Sequence, residues 1–217
     1  MSAPGPSGFA DPPRPFVFRA SYLAGRSYAS GELFCFEMNF FERHEGIAQD
    51  LAGAFALFAK ADLESVEASA PISIPLQHGS DRVEQLRIEF LTPTELRAGS
   101  DGTLLAAPPE FAALFARARD RVSTLRSCYG PGPLEIDFRA MGERARSVKL
   151  TRSDLRYVAA NRRSRSTGQV HGIGGFTGVA EYEGDLGEFL PILEAARWTG
   201  VGRHCVWGNG EIAARPF

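Results

Sequence analysis

The sequence predicts an α+β protein built from antiparallel sheets. Apolar residues alternate with polar ones in several short segments, as in LRIEFLTPTEL at 86–96, which is typical of half-buried strands. Elsewhere apolar residues recur every three or four positions, as in amphipathic helices. These segments follow the order strand, helix, strands, and then strand, helix, strands, helix, strand. Paired strands between helices favour antiparallel sheets over a doubly wound parallel sheet.

Two units are expected, after a proline- and glycine-rich tail at residues 1–14. The first unit, 15–80, begins with strands at 16–19 and 32–41. Ile47, Leu51, Phe55 and Phe58 then repeat at helical spacing. Short strand-like segments at 63–68 and 71–76 precede the polar turn HGSDR. With one clear helix, this unit resembles an incomplete copy of the second.

The second unit, 84–217, fits a βαββαβ ferredoxin-like plan with additions. After the opening strand, Pro108 and Pro109 suit the first turn of a helix, which GPGP at 130–133 ends. Segments 134–138, 147–158 and 176–182 are predicted strands. Asp185 and Glu188 form a capping-box pattern for the last helix, and Pro191 implies either a kink or a helix that begins there after an irregular turn. A final strand follows.

Charge is segregated along the chain, although the net charge is only −2. Acidic residues dominate 32–67 and basic residues dominate 139–165, so the latter has the positive field expected of a phosphate-backbone site. A solvated helix or hairpin face would give a similar pattern. Three widely spaced cysteines predict neither a disulfide framework nor a zinc site, and the carboxylates near Glu181 lack the further ligands that a metal needs. The absence of a leader or long apolar run favours the cytoplasm and no membrane contact.

A glycine-rich loop lies between the last helix and the last strand. Gly200, Gly202, Gly208 and Gly210 let the backbone come close to a ligand, and a loop of bare amides binds anions. Because this loop leaves a helix and enters a strand, it does not suit a nucleotide phosphate, and we interpret it as a cradle for a longer polyanion. The alternative is a turn that only packs.

The segment GFTGVAEYEGDLGEFLPILEAARWTGVGRHCVWGNGEI at 175–212 resembles the C-terminal motif of CRISPR-associated endoribonucleases of the RAMP superfamily, which process repeat RNA. The segments IEFLTPTEL, EFAALFARARDRVSTL and RPFVFRASYLAGRSYASGELFCFEMNF are similar to theirs as well. The resemblance implies two ferredoxin-like units that grip a CRISPR repeat and cut it once, with no metal or other cofactor. It also makes other CRISPR-associated proteins and a second copy of the chain candidate partners. Members of the family usually carry a longer N-terminal segment, and their loops tend to have small polar or aliphatic residues where this chain has His204, Cys205 and Trp207.

Metal-free RNA cleavage uses the 2′-hydroxyl as nucleophile, so the protein needs groups that transfer protons, and histidine is the natural one near neutral pH. His44 and His204 are the candidate catalytic residues; the alternatives are an exposed histidine at a helix start and a structural histidine in the loop. Trp207 either stacks on a base or belongs to the core. The candidate RNA-binding residues are Lys149, Arg152, Arg156, Arg162, Arg163, Arg165, Gly200, Gly202, Arg203, Gly208 and Gly210.

The sequence thus predicts a CRISPR repeat-RNA-processing endoribonuclease, with a non-cleaving RNA-binding or scaffold subunit as the alternative. Either function requires that the arginine-rich stretch and the glycine-rich loop converge in space.

Overall fold

The computed structural model of the chain describes residues 12–23, 25–42, 46–59, 66–67, 69–76, 82–97, 104, 108–163 and 168–217. Its strands are β1 (Phe16–Arg19), β2 (Glu37–Phe40), β3 (Gln85–Thr94), β4 (Lys149–Val158), β5 (Asn161–Arg163), β6 (Val170–Gly172), β7 (Gly175–Glu183) and β8 (Ile212–Pro216). Its α-helices are α1 (Ile47–Ala54), α2 (Phe111–Tyr129), α3 (Phe138–Ala145) and α4 (Leu190–Thr199).

A four-stranded antiparallel sheet in the order β4-β7-β3-β8 organises the second half of the chain. Helices α2 and α3 lie between β3 and β4 along the chain, and α4 lies between β7 and β8. One face of the sheet is covered by helices, because Leu86, Ile88 and Phe90 of β3 belong to the same buried cluster as Leu114 of α2 and Leu193 of α4. The predicted α+β architecture with antiparallel sheets is confirmed.

Aromatic rings fill the centre of this core. The ring centroid of Phe111 lies 5.3 Å from that of Tyr182 and 5.1 Å from that of Phe189, both edge-to-face. The centroid of Phe115 lies 4.7 Å from that of Phe189. The Tyr182 hydroxyl donates a hydrogen bond to the Pro109 carbonyl over 3.0 Å. Burial raises the pKa of Tyr182, so the phenol stays neutral and serves the packing of strand on helix.

Two local predictions in the second unit are wrong. Segment 134–138 is not a strand, because Asp137 accepts hydrogen bonds from the amides of Arg139 and Ala140 and caps α3, which starts at Phe138. The capping box before α4 does not form either. Glu188 instead makes two 2.6 Å hydrogen bonds with Arg144, while Pro191 occupies the first turn of α4 after a short 3-10 turn. The expected irregular turn is therefore the correct alternative.

The first unit contributes a two-stranded sheet and one α-helix within the described residues. β1 is confirmed at 16–19, but β2 is shorter than the predicted strand 32–41. Leu33 and Phe34 are exposed, and the Phe34 ring packs on the nearby Tyr28, with ring centroids 5.1 Å apart, instead of in the core. Helix α1 is confirmed and continues into a π-helical turn, Phe55–Ala59. Residues 71–76 form no strand, and most of the predicted segment 63–68 lies outside the described residues.

The first sheet docks on the C-terminal end of α4. The Arg19 side chain, only 7% exposed, donates to the carbonyls of Arg197 at 2.9 Å and Trp198 at 3.1 Å. Asn39 of β2 donates to the same Trp198 carbonyl over 3.1 Å. Burial lowers the pKa of Arg19, and Glu211, 3.7 Å away, opposes this effect. These bonds satisfy the last carbonyls of α4 and place β1 against the loop that follows it.

Candidate nucleic-acid interface

The glycine-rich loop, residues 200–211, is packed tightly against its surroundings. Gly202 and Gly210 have φ of +83° and +71°, which side chains rarely tolerate. A Cβ on Gly202 would come closer than 3.0 Å to the Glu95 carbonyl, and one on Gly210 equally close to the Val201 carbonyl. The need for glycine at these two positions is therefore explained by packing.

Many of the loop amides already donate to carbonyls of the protein. The amides of Gly200, Val201 and Gly208 donate to the carbonyls of Ala196, Gly210 and Cys205 over 2.8, 2.8 and 3.0 Å. The Gly210 amide bonds to the Pro93 carbonyl. The interpretation of the loop as a cradle of bare amides is wrong for these positions. Contact of Gly200, Gly202, Gly208 and Gly210 with RNA stays a prediction, and side chains are the better candidates for anion contacts here.

Arg203 projects from the loop and is anchored to the end of β3. Its guanidinium donates to Glu95 over 2.9 Å, and Arg97 donates to the same carboxylate oxygen over 3.0 Å. Burial alone would raise the pKa of Glu95, but the hydrogen bonds from both arginines outweigh it and hold the pKa below its ordinary value. One carboxylate between two arginines leaves a net positive group beside the loop.

His204 and Trp207 form a stacked pair in the loop. Their ring centroids lie 5.1 Å apart with 10° between the planes. His204 is the one non-glycine residue with positive φ, 62°, among the described residues. Trp207 is 43% exposed, so the core alternative for this residue is wrong. Between them, Cys205 is buried, and burial raises the pKa of its thiol, which favours a packing role over a chemical one.

The loop meets the arginine-rich stretch at the base of a hairpin. We call β5–β6 the hairpin extension, because it prolongs β4 and β7 beyond the sheet: Arg162 pairs with His171 and Arg163 with Val170. At its base the Ile173 amide donates to the Ala160 carbonyl over 2.8 Å. The Asn209 side chain of the loop donates to the Ile173 carbonyl over 2.6 Å. The two stretches therefore converge, as the RNA hypothesis requires.

Two predicted site residues are placed only by their backbone, and two are not placed. The backbones of Arg162 and Arg163 lie in the hairpin extension, but their side chains are not among the described parts of the chain. His44 and Arg165 lie outside the described residues altogether. Their roles stay predictions.

Lys149, Arg152 and Arg156 lie in a row on the outer face, by which we mean the face of the four-stranded sheet opposite the helices. Directly opposed residues of antiparallel strands share a face. The partners of the row in β7 are Glu183, Glu181 and Thr177, which alternate with the core-facing Phe176, Ala180 and Tyr182. The row extends about 23 Å along β4 at ordinary strand rise, and Arg156 is its member nearest the hairpin extension.

The cations of the outer face differ in their pairing. Arg87 of β3 donates to Glu181 over 2.7 Å, and Arg215 of β8 lies 3.5 Å from Glu89. The three members of the β4 row make no ion pair with any described residue, and all are exposed. Their charges are available to an anionic ligand, whereas those of Arg87 and Arg215 are partly neutralised.

Sequence reasoning missed two structural anchors of the interface. Asn209 ties the loop to the hairpin extension, and its signal was its place between two glycines. Arg121 of α2 donates to the Thr199 carbonyl over 2.6 Å and so joins Arg19 at the end of α4. The sequence holds no signal for Arg121, because its contact is a tertiary one made 78 residues away along the chain.

The described ranges contain neither a metal site nor a membrane-spanning helix. Within the described ranges, no three His, Cys, Asp or Glu residues are grouped in a way that would hold a metal ion. Across the same ranges, no helix combines the length and the apolar character needed to cross a bilayer.

Comparison with known proteins places the chain in a family. The family model of the CRISPR-associated endoribonuclease Cas6 matches residues 88–212, more than half of the chain. No curated protein matches the sequence.

Several solved structures resemble part of the chain. The Thermus thermophilus Cas6 is 20% identical with a TM-score of 0.48, over 62% of this chain and 55% of that one. A Cas6 product complex is 19% identical with a TM-score of 0.43, over 62% of this chain and 52% of the other. The chain therefore spans about half the length of these proteins. A partial Cas6-RT-Cas1–Cas2 complex gives 13% identity and a TM-score of 0.44, over 63% of this chain and 23% of that one. On the extent of the family match, this chain belongs to the family of the CRISPR-associated endoribonuclease Cas6.

Proposed function

We propose that the protein is a CRISPR repeat-RNA-processing endoribonuclease that cleaves by 2′-hydroxyl attack without a metal ion. The observation that carries the proposal is the family match over 88–212, because this range contains the β4 row, the hairpin extension and the glycine-rich loop. These are the same elements that converge at one end of the sheet.

The architecture we infer is a complete ferredoxin-like unit joined to a partial one. Strand order β4-β7-β3-β8, with helices after the first and third strands of the sheet along the chain, supports the βαββαβ assignment for the second unit. The β1–β2 sheet and α1 support a partial unit. Boundaries at 15–80 and 84–217 are part of this proposal.

RNA is proposed to run along the outer face toward the loop. The unpaired charges of Lys149, Arg152 and Arg156 give a row that phosphates can follow, and Arg162, Arg163 and Arg165 would extend it at the hairpin extension. Arg203 stands at the loop, where the two stretches meet. The carboxylates of the outer face oppose this attraction. Glu181 and Glu89 are occupied by arginines, whereas Glu183, opposite Lys149, and Asp154, between Arg152 and Arg156, reduce the positive field of the row.

The reaction needs one group to take the proton of the 2′-hydroxyl and one to protonate the departing 5′-oxygen. The 2′-oxygen then bonds to the adjacent phosphorus, the bond from phosphorus to the 5′-oxygen breaks, and the products end in a 2′,3′-cyclic phosphate and a 5′-hydroxyl. His44 and His204 are the proposed proton-transfer groups. In support, His204 lies in the same loop as Arg203, which would face the phosphate.

Labelled CRISPR repeat RNAs, including the repeat of the source genome, test the proposal in the presence of EDTA. We expect a single cut, a cyclic phosphate by mass, and no cut when the nucleotide before the cleaved bond is 2′-deoxy. His44→Ala should slow cutting while RNA affinity is kept, and His204→Ala should slow cutting by far more than it weakens RNA binding. RNA that is bound but never cut would disprove the enzyme and leave the second candidate.

That second candidate is an RNA-binding subunit that does not cleave. It is favoured by the β4 row, which supports binding whether or not a histidine acts. Its partners would be the repeat RNA together with other CRISPR-associated proteins or a second copy of the chain. RNA binding by the native protein and by both histidine variants, with no product formed by any of them, would support it.

A further inference from the structure

Trp207 has the position and exposure of a ligand-binding aromatic residue. It lies in the short 3-10 turn Cys205–Trp207, at the surface of the glycine-rich loop, and is 43% exposed. Buried residues on both sides fix the turn: Cys205 bonds to the Gly202 carbonyl, and Asn209 holds the hairpin extension. The ring is therefore an exposed apolar surface on a well-anchored loop.

The orientation of the indole is set by its neighbour. His204 stacks almost parallel on one face of the indole, at 5.1 Å and 10°. Its φ is 62°, in the left-handed region that few non-glycine residues occupy. The Trp207 amide also donates to the His204 carbonyl over 2.9 Å, which closes the turn. Ring and backbone thus hold the indole plane in one direction before any ligand arrives.

A flat, partly exposed ring of this kind suits a second flat ring. Bases of single-stranded RNA stack on tryptophan because every base has a π-face, whereas a phosphate or a sugar gains little from an indole. Arg203, from the same loop, is 47% exposed and would meet the backbone of a nucleotide whose base stacks nearby. The contact of Asn209 with the hairpin extension places the loop that carries this ring at the end of the sheet where β4 runs into the hairpin extension.

We propose that Trp207, oriented by His204, is a stacking platform for one unpaired nucleobase of the bound RNA. The inference rests on the proposed RNA-binding function and adds to it a specific contact. Trp207 is a binding residue in this account, and the imidazole of His204 acts as a positioning group in addition to any proton transfer. A paired stem would not satisfy this site, because its bases are already stacked.

The test uses repeat RNA that carries a 2′-deoxy nucleotide at the cut, so that binding is measured without cleavage. A series of these RNAs each lacks the base at one unpaired position. For the native protein we expect loss of one base to weaken binding by about 5- to 150-fold. Trp207→Leu should weaken binding of the intact RNA by the same factor as removal of that base does. In this variant, removal of the base should cause no further loss of affinity. Trp207→Phe should restore most of the loss, because phenylalanine also stacks.

A spectroscopic measurement separates stacking from a general structural effect. Trp198 is the other tryptophan of the chain, so Trp198→Phe leaves Trp207 as the sole emitter. Its emission should be quenched by the intact RNA and unchanged by the RNA that lacks the identified base. His204→Gly, which accepts positive φ without strain, keeps the loop conformation and removes the ring. In the His204→Gly protein, removal of that base should weaken RNA binding less than it does in the native protein.

Three outcomes would overturn the inference. In the first, the Trp207→Leu protein binds the intact RNA as tightly as the native protein does. In the second, its affinity is lower than that of the native protein by the same factor for every RNA of the base-removal series. In the third, RNA leaves the emission of Trp207 unchanged. In each of these cases binding by the native protein persists, and the proposed function survives. A native protein that binds none of the RNAs would remove both proposals. If Trp207→Leu does not fold, as judged by circular dichroism, the emission of the Trp198→Phe protein decides.

Discussion

Removal of the β4 row should weaken RNA binding in a way that depends on salt. In the variant with Lys149, Arg152 and Arg156 all changed to Gln, the sheet keeps its hydrogen bonds, since all three side chains are exposed and unpaired among the described residues. If each cation neutralises one phosphate, the slope of log affinity against log salt should become shallower by about 2, at about 0.7 per phosphate on a single strand. Between about 50 and 200 mM salt, the native protein should then lose about 20-fold more affinity than the variant.

The assay is fluorescence anisotropy with the non-cleavable repeat RNA at four or more salt concentrations. A matched control changes Arg117, Arg139 and Arg146 to Gln, which removes the same charge from α2 and from the start and end of α3. The control should leave the slope within about half a unit of the native one. Equal changes of slope in both variants would refute a path along the outer face, because net charge alone would then explain the effect. An unchanged slope in the β4 variant would refute it as well.

Three further predictions concern the scaffold. Gly178→Ala should lower the free energy of unfolding in urea by about 2–4 kcal/mol, because φ is +121° and the new Cβ would press on the Asp154 carbonyl of β4. The control Gly172→Ala, which has open space around its Cβ, should lower it by less than about 1 kcal/mol. Arg19→Ala should cost about 1–3 kcal/mol in the same assay, since it removes the donor of the Arg197 carbonyl and one of the two donors of the Trp198 carbonyl. Glu95 has a lowered pKa, so its stabilising contribution should be present above its ordinary pKa of 4.5 and be lost as pH falls through the folded value; a Glu95→Gln protein whose stability deficit persists unchanged down to about pH 2 would contradict this.

Strands with strict alternation could be predicted from the sequence because alternation reports burial directly. In β3 the alternating residues Leu86, Ile88 and Phe90 are buried, and the intervening Arg87 and Glu89 lie on the outer face. The segment 134–138 has a similar pattern, but Asp137 has a stronger local option as the cap of α3. Short segments are decided by such side-chain bonds, which periodicity does not report.

The candidate site residues also divide into those that local sequence patterns predict and those that depend on tertiary contacts. The basic stretch and the glycine-rich loop were identified from composition, and alternation along β4 puts Arg152 and Arg156 on one face. Lys149 joins them only because the register shifts between Leu150 and Arg152, an irregularity that alternation does not report. The function of the glycines was not predictable, since it depends on carbonyls such as that of Glu95, which come from distant parts of the chain. Asn209 was marked by its place between two glycines, but its partner, the Ile173 carbonyl, is likewise distant along the chain.

The contacts of the glycine-rich loop connect the two units with the proposed site. On one side, a Cβ on Gly208 would lie 3.2 Å from the Phe18 carbonyl of β1, and Arg19 next to it holds α4. On the other side, Gly202 rests on the Glu95 carbonyl at the end of β3. His204 stands between these glycines, so its position depends on both contacts. Docking of the first unit should therefore affect the geometry of the loop, and the Arg19→Ala protein should lose cleavage rate even at temperatures where it is fully folded. A cleavage rate equal to the native one would show that the loop keeps its geometry without the first unit.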